Sequence, residues 1–195
     1  MEKTLVIVKP DGVQRGLVGA VIGRFEKVGL KIVAMKMVWP SKDMVEKHYT
    51  LDPEWMRKAG EKTIATQKSR NLKPLFEDPL EYGKFILGKL IKYISSGPVV
   101  AFVLEGNCSV DIVRKVAGNT EPYSAVSGTI RGDYCPETYK LADTDERAVR
   151  NIVHASGSVE EANNEIALWF DKKEIMEYTT VTEKVLYSTD WEWVK

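Results

Sequence analysis

A histidine lies between a short apolar run and a predicted helix in the segment NIVHASGSVEE, residues 151–161. It is His154, one of two histidines in the chain. Ser158 and Glu161 fit the pattern of a capping box, which predicts that a helix begins at Ser158. The partial positive charge of a helix N-terminus favours a developing anion and disfavours protonation of a nearby imidazole. Since the residues at 155–157 are small, the segment could present a neutral, nucleophilic ring.

A carboxylate follows two turns into the same predicted helix. Glu165 lies beside the apolar stripe of this helix, so its side chain could point back toward the packed side. There it could accept a hydrogen bond from one ring nitrogen of His154 and leave the other nitrogen free to attack an electrophile. The alternative is that His154 is a satisfied surface or core histidine and that Glu165 is solvated. The segment alone leaves both interpretations open.

Three cationic residues lie where chain elements are predicted to end or turn. Lys9 ends a predicted buried strand, Arg114 lies on a helix that follows another strand, and Arg131 lies in a predicted loop flanked by glycine. A phosphate site is typically built from a point charge together with planar guanidinium groups that contact two oxygens at once. Each residue alone is more often at the surface. Phosphate chemistry is therefore a hypothesis at this stage.

The elements that must position these residues alternate along the chain, which predicts helices packed on one sheet. The polar stretch 51–83 shows little sustained periodicity, and we interpret it as a surface insertion. A second polar stretch, 135–147, could reshape the rim of the functional site or could be a simple surface loop. Ser109 is predicted to cap the helix that ends at Ala117. The predicted strands cover 4–9, 31–38, 99–105 and 151–154, and the predicted helices cover 17–28, 41–49, 87–94, 109–117 and 158–170.

The totals predict one domain, because 195 residues are enough for one sizeable core but few for two. Lys plus Arg and Asp plus Glu both count 28, so the net charge gives no reason to expect a nucleic-acid or membrane partner. The apolar runs are too short to cross a bilayer and the N-terminus does not fit a signal peptide, so we expect a cytoplasmic protein.

Cys108 and Cys135 match no metal or redox spacing. We interpret the basic cluster of the first insertion as a solvated face: Arg57, Lys58, Lys62, Lys68, Arg70 and Lys73.

Four motifs together carry a family resemblance: KPDGVQRG at 9–16, SGPVVA at 96–101, GTIRGD at 128–133 and NIVHASGS at 151–158. They resemble the nucleoside diphosphate kinases over the whole chain except the two insertions. The resemblance implies a ferredoxin-like fold, in which helices cover a four-stranded antiparallel sheet, within a single domain that spans 1–195. It also implies ping-pong phosphoryl transfer, in which a nucleoside triphosphate such as ATP phosphorylates His154 and a nucleoside diphosphate then takes the phosphate.

The same resemblance assigns roles to individual residues. The phosphoryl group would sit on the pros nitrogen of His154, and Mg²⁺ would be bound by phosphate oxygens and water without a protein ligand. The matches to the family are Lys9, Arg114, Thr120 and Arg131 at phosphate-binding positions, Tyr49 near the transferred phosphate, Asn151 with Lys9 at the ribose hydroxyl, and Glu165 linked to Ser156 as the group that orients the histidine.

The base-stacking position departs from the family pattern. An ungapped register from Gly97 places Ile86 there, whereas a shift of one residue places Phe85 there. We favour Phe85, because an aromatic face stabilises a stacked base more than an aliphatic one. The resemblance further implies a homo-oligomer, a hexamer rather than a tetramer, whose tail (171–195) packs on neighbouring subunits. Trp191 and Trp193 in this tail would be costly to expose in a monomer.

Two other classes of function stay in competition. The chain could be a phosphohistidine carrier that passes the group to another protein, or a binding module that kept the fold without catalysis. The complete set of matched residues argues against lost catalysis, and the neutral net charge argues against nucleic-acid binding.

Overall fold

Four antiparallel strands form one sheet in the order β2-β3-β1-β4 in the computed structural model, which describes residues 1–190. The strands are β1 (Glu2–Val8), β2 (Lys31–Val38), β3 (Val99–Gly106) and β4 (Val153–Ala155). The predicted ferredoxin-like sheet is confirmed. Its central strand β1 pairs with β3 on one side and with β4 on the other.

The helices pack on both faces of this sheet. Because successive side chains of a strand point to opposite faces, β1 directs Val6 and Val8 into one core and Leu5 and Ile7 into the other. The first core packs α2 and α6, and the second packs α3, α5 and α9. The helices are α1 (Pro10–Gln14), α2 (Val18–Lys27), α3 (Lys42–Thr50), α4 (Trp55–Ser69), α5 (Pro79–Ile94), α6 (Ser109–Ala117), α7 (Ile130–Tyr134), α8 (Tyr139–Thr144), α9 (Val159–Trp169) and α10 (Val181–Tyr187).

The first insertion, 51–83, is largely at the surface as expected, but it is helical in spite of its weak periodicity. It contains the whole of α4, which packs against α5. The contact runs through glycine: a Cβ on Gly60 would lie 1.8 Å from the carbonyl oxygen of Pro79, and one on Gly83 would lie 1.9 Å from that of Met56. Two helices that approach through glycine need few large apolar residues, so the sequence shows little hydrophobic periodicity.

Two further local expectations are corrected. Arg131 lies in the helix α7, not in a loop, because the Thr129 hydroxyl accepts a hydrogen bond from Gly132 N and caps this helix. Ser109 is the first residue of α6 and is buried, whereas Cys108 is the N-cap residue, with φ of 48°. The second insertion, 135–147, contains the short helix α8, which Thr138 caps.

The described part of the tail returns to its own sheet. Met176 N donates to the carbonyl oxygen of Val33 at 2.7 Å, and Lys31 pairs with Glu183 of α10 at 2.8 Å. The argument from Trp191 and Trp193 concerns residues outside the described range. None of the helices within 1–190 has both the length and the apolar character that crossing a bilayer requires.

Candidate active site

His154 lies on β4, opposite Ile7 of the central strand, and 13% of its side chain is exposed. The helix α9 begins after Ser158, whose hydroxyl accepts from Glu161 N at 3.1 Å as predicted. The return contact of the capping box is shifted by one residue, because the Glu161 carboxylate accepts from Gly157 N. The ring is therefore fixed by the sheet, and the turn at 156–158 leads from it into α9.

Glu165 reaches the histidine from the buried side. Its Oε1 lies 2.8 Å from Nε2 of His154, and its Oε2 accepts a hydrogen bond of 2.6 Å from the Ser156 hydroxyl. The pair is within ion-pair distance, although the ring N–H is not aligned with the oxygen well enough to form a regular hydrogen bond. Nδ1 of His154 makes no hydrogen bond within the described chain. The nitrogen that Glu165 does not engage is thus the one left for chemistry.

The second histidine of the chain also belongs to this cluster, which the sequence reasoning missed. The ring centroid of His48 lies 4.5 Å from that of His154 in an edge-to-face arrangement and 5.8 Å from that of Trp169. One side-chain nitrogen or oxygen atom from each of His48, His154 and Glu165 lies within 4.8 Å of the others, so the three residues form one compact polar group. The only sequence signal was a histidine beside Tyr49, on an otherwise polar helix.

The protonation states of this cluster follow from its burial. Burial, reinforced by the charge of Lys9, lowers the pKa of His154 to about 3. Burial also lowers the pKa of His48 to about 3, so both rings are neutral near pH 7. Burial raises the pKa of Tyr49, which keeps its phenol protonated. A neutral imidazole has a free lone pair and is nucleophilic.

A chain of polar contacts links the cations to the histidine strand. Lys9 Nζ donates to Asn151 Oδ1 at 2.7 Å, and Asn151 Nδ2 donates to the Thr120 carbonyl at 2.8 Å. Lys9 and Asn151 are both buried. Burial and the charge of Arg131 lower the pKa of Lys9 to about 7. This lysine is therefore only partly charged near pH 7 while no anion is bound.

Arg131 braces the same region through its guanidinium. It donates to the carbonyl oxygens of Gly118 and Val153 at 2.7 Å each and to that of Asn151 at 3.2 Å. Burial lowers its pKa to about 10, which leaves the group charged at neutral pH. Arg131 thus fixes the backbone on both sides of the cleft and also brings a positive charge to it.

Most of the predicted residues line one cleft of about 760 Å³. Arg114 does not line it: this side chain is exposed, and its Nη1 lies 3.7 Å from where a Cβ on Gly157 would be. Of the two base-stacking candidates, Ile86 lines the cleft and Phe85 does not. The predicted residues that the structure brings together in the cleft are Lys9, Tyr49, Ile86, Thr120, Arg131, Asn151 and His154, with Ser156 and Glu165 buried behind the histidine.

The nucleoside diphosphate kinase family model matches residues 2–175 of the chain. The chain belongs to this family. A nucleoside diphosphate kinase from Pyrobaculum aerophilum is 49% identical over 181 residues, which is 91% of this chain and 99% of that protein. The predicted family and the predicted phosphotransferase activity are confirmed, and an enzyme of this family is favoured over a binding module.

Solved structures of nucleoside diphosphate kinases share the fold. The crystal structure of an NDP kinase from Pyrobaculum aerophilum superposes with a TM-score of 0.86 at 48% identity, and covers 90% of this chain and 99% of that one. A nucleoside diphosphate kinase from Borrelia burgdorferi, described as a transition state mimic with bound vanadate and ADP, superposes with a TM-score of 0.78 at 38% identity and covers 94% of this chain and 95% of that one.

In this chain, the two insertions, 51–83 and 135–147, form part of the cleft and meet beside it. Arg70 from the first insertion pairs with Glu121 at 2.5 Å, and Tyr139 N from the second donates to the same carboxylate at 3.0 Å. Trp55 and Lys62 of α4 line the cleft directly. The insertions are therefore walls of the site, and the basic residues of α4 are not simply a solvated face.

Proposed function

We propose that the chain transfers the terminal phosphate of a nucleoside triphosphate, ATP among others, to nucleoside diphosphates through a phosphohistidine at His154. One observation carries the proposal above all: a neutral imidazole with Nε2 against a buried carboxylate shares a cleft with Lys9 and Arg131. Cations beside an uncharged nucleophile suit a reaction whose substrate is anionic.

In the first half-reaction the Nδ1 lone pair of His154 forms a bond to the γ-phosphorus. The bond from this phosphorus to the bridging oxygen breaks, and the nucleoside diphosphate leaves with that electron pair. The ring becomes cationic, and the nearby Glu165 carboxylate stabilises this charge. The second half-reaction reverses these steps with another diphosphate. Since the transition state is loose, the work of the protein is alignment and charge stabilisation.

The surrounding residues would hold the nucleotide. Lys9, Arg131 and Thr120 would contact phosphate oxygens, with Arg114 approaching from the rim, and the protonated Tyr49 hydroxyl would donate to the transferred group. Asn151 would exchange its contact with Lys9 for the ribose hydroxyl. Ile86 rather than Phe85 would lie against the base, because Ile86 faces the cleft.

Mg²⁺ would be needed to neutralise the phosphate oxygens during transfer. Among the described residues that line the cleft, Asp143 is the one carboxylate. This donor set is too poor for a dedicated protein site, since Mg²⁺ readily keeps its waters and binds substrate phosphates. The fit therefore favours an ion held by phosphate oxygens and water.

Labelling in two steps tests the reaction. The protein is mixed with γ-labelled ATP, freed of nucleotide and then mixed with GDP. We expect labelled protein first and labelled GTP afterwards. Labelled protein that gives nothing to GDP would instead indicate a carrier that phosphorylates another protein.

ADP binding is expected to take up a proton above pH 7. The free protein loses the Lys9 charge as the pH rises through about 7, whereas a bound phosphate restores it. ADP affinity should therefore fall as the pH rises from 7 toward 9. Calorimetry at pH 8 in buffers of different ionisation enthalpy measures the uptake. Lys9→Gln is the control and should abolish it; equal uptake by this variant would assign the proton to another group.

A homo-oligomer is expected at micromolar concentration, and a hexamer is preferred. Among the described residues β2 is an edge strand with no further strand beside it, and Met35, Met37 and Trp39 on and beside it are exposed. Light scattering coupled to gel filtration measures the mass. Met37→Asp should lower it, whereas a monomer mass for the unmodified chain would contradict the proposal. Both cysteines are free thiols, and a cytoplasmic location stays a prediction.

A further inference from the structure

The role of His48 is the main feature that this mechanism leaves unexplained. Its ring is 6% exposed and packs edge-to-face on the ring of His154. Its Nδ1 accepts a hydrogen bond of 3.2 Å from Nε1 of Trp169. Its Nε2 lies 3.5 Å from Oε1 of Glu165. The residue therefore connects a core tryptophan to the carboxylate that faces the reactive histidine.

The contact with Trp169 fixes the tautomer of His48. An indole N–H can only donate, so Nδ1 of His48 must be the unprotonated nitrogen. Because the ring is neutral, its single proton is on Nε2. That N–H faces Glu165 and can act only as a donor toward it. The distance of 3.5 Å is long for a hydrogen bond, and such contacts often tighten when substrate binds.

The Glu165 carboxylate thus has a donor group near each oxygen. Ser156 donates to Oε2, while the ring nitrogens of His154 and His48 approach Oε1. Burial raises the pKa of Glu165, and the Ser156 hydroxyl, which donates to it, acts in the opposite direction. The neutral His48 ring acts in the same sense as Ser156 through its Nε2–H, which faces Oε1. The charged or titratable groups that face Glu165 are His48 and Tyr49 from α3, His154 from β4 and Glu161 from the preceding turn of α9.

We propose that His48 is a positioning residue for phosphoryl transfer: its Nε2–H holds the Glu165 carboxylate ionised and aimed at Nε2 of His154, which leaves Nδ1 facing the phosphates. The inference rests on the phosphohistidine mechanism proposed above. His48 touches neither substrate nor phosphoryl group in this scheme and acts through Glu165. Without it, Glu165 would gain a proton at higher pH, and His154 would lose its fixed orientation.

The test is single-turnover phosphorylation by ATP, quenched in alkali and followed from pH 5 to 9. His48→Phe keeps the ring volume and removes both nitrogens. We expect the rate at pH 7 to fall about 10–100-fold, the range found for groups that orient a metal-ligating histidine. The fall of the rate on the acid side of the pH profile should move to higher pH. Without the N–H of His48, Glu165 gains its proton at higher pH, and the ionised Glu165 is the active form. ADP affinity should stay within about twofold, since His48 lies behind the cleft.

Two variants separate this role from a merely structural one. His48→Gln can accept from Trp169 and donate to Glu165, so it should recover most of the rate and the pH profile. Trp169→Phe removes the indole N–H while it keeps an aromatic ring, and should shift the fall of the rate on the acid side less far in the same direction. When Glu165 is already replaced by glutamine, adding His48→Phe should lower the phosphorylation rate little further, because the two residues act as one unit.

The outcomes separate a failure of this inference about His48 from a failure of the phosphohistidine mechanism on which it rests. If the unmodified protein forms no phosphohistidine, the proposed function fails. If it does, and His48→Phe keeps both rate and pH profile, the inference is wrong and the mechanism stands. A slow His48→Phe that His48→Gln does not rescue, with weakened ADP binding, would show a structural role and also overturn the inference.

Discussion

Substitution of His154 by alanine is expected to lower nucleotide phosphotransfer by at least about 10⁴-fold, because the variant lacks the atom that accepts the phosphoryl group. The ring contributes little to either hydrophobic core, and it is neutral near pH 7. The fold and ADP binding should therefore persist. The measurements are steady-state transfer from ATP to GDP, circular dichroism and an ADP titration on the same preparation.

A matched control lies in the first turn of the next helix. Glu160 is exposed on α9 and does not line the cleft, so Glu160→Ala should keep its activity within about twofold. Residual transfer by His154→Ala above about 1% of the unmodified protein would contradict the covalent mechanism, since direct transfer between two nucleotides needs no histidine. Loss of ADP binding in the same variant would instead show that the ring shapes the cleft.

The strands and the histidine segment could be predicted because their signals are local. A continuous apolar run bounded by turn residues identifies β3, and Ser158 three residues before Glu161 identifies the start of α9. The link from His154 to Glu165 spans a turn and part of one helix, so sequence spacing was enough to suggest it.

The contact between His48 and Trp169 could not be predicted in the same way. The two residues are 121 positions apart and lie on different helices, so neither segment carries a sign of the other. Only the packing of α3 and α9 on one face of the sheet brings them together. A contact between such distant residues follows from the fold and cannot be predicted from the periodicity of either segment.

The choice between Phe85 and Ile86 depended on the rotation of α5. Ile86 and Leu90, four residues apart, share one helix face and both line the cleft. Phe85 lies about 100° further round, where it packs on Tyr82 and Phe76. An argument from side-chain chemistry favoured the aromatic residue, but the helix rotation places the aliphatic one at the cleft.

The largest expected effect on stability comes from Gly83→Ala. The added Cβ would lie 1.9 Å from the carbonyl oxygen of Met56, which is backbone and cannot rotate away, so α4 must move off α5. We expect a loss of about 1–3 kcal/mol in the free energy of unfolding, as for other overpacked contacts. Urea unfolding measures the loss, and hydrogen exchange shows whether α4 opens first.

Gly88 on the same helix provides the control. It is exposed and a Cβ there would meet nothing within 4 Å, so Gly88→Ala should stabilise the protein by about 0.5–1 kcal/mol. If Gly83→Ala lowers the free energy of unfolding and Gly88→Ala raises it, the effect at Gly83 comes from the contact between the helices and not from helix propensity. Since Trp55 and Lys62 of α4 line the cleft, Gly83→Ala should also weaken ADP binding while His154 still accepts phosphate from saturating ATP. A variant as stable as the unmodified protein would mean that α4 does not dock on α5 through these glycines.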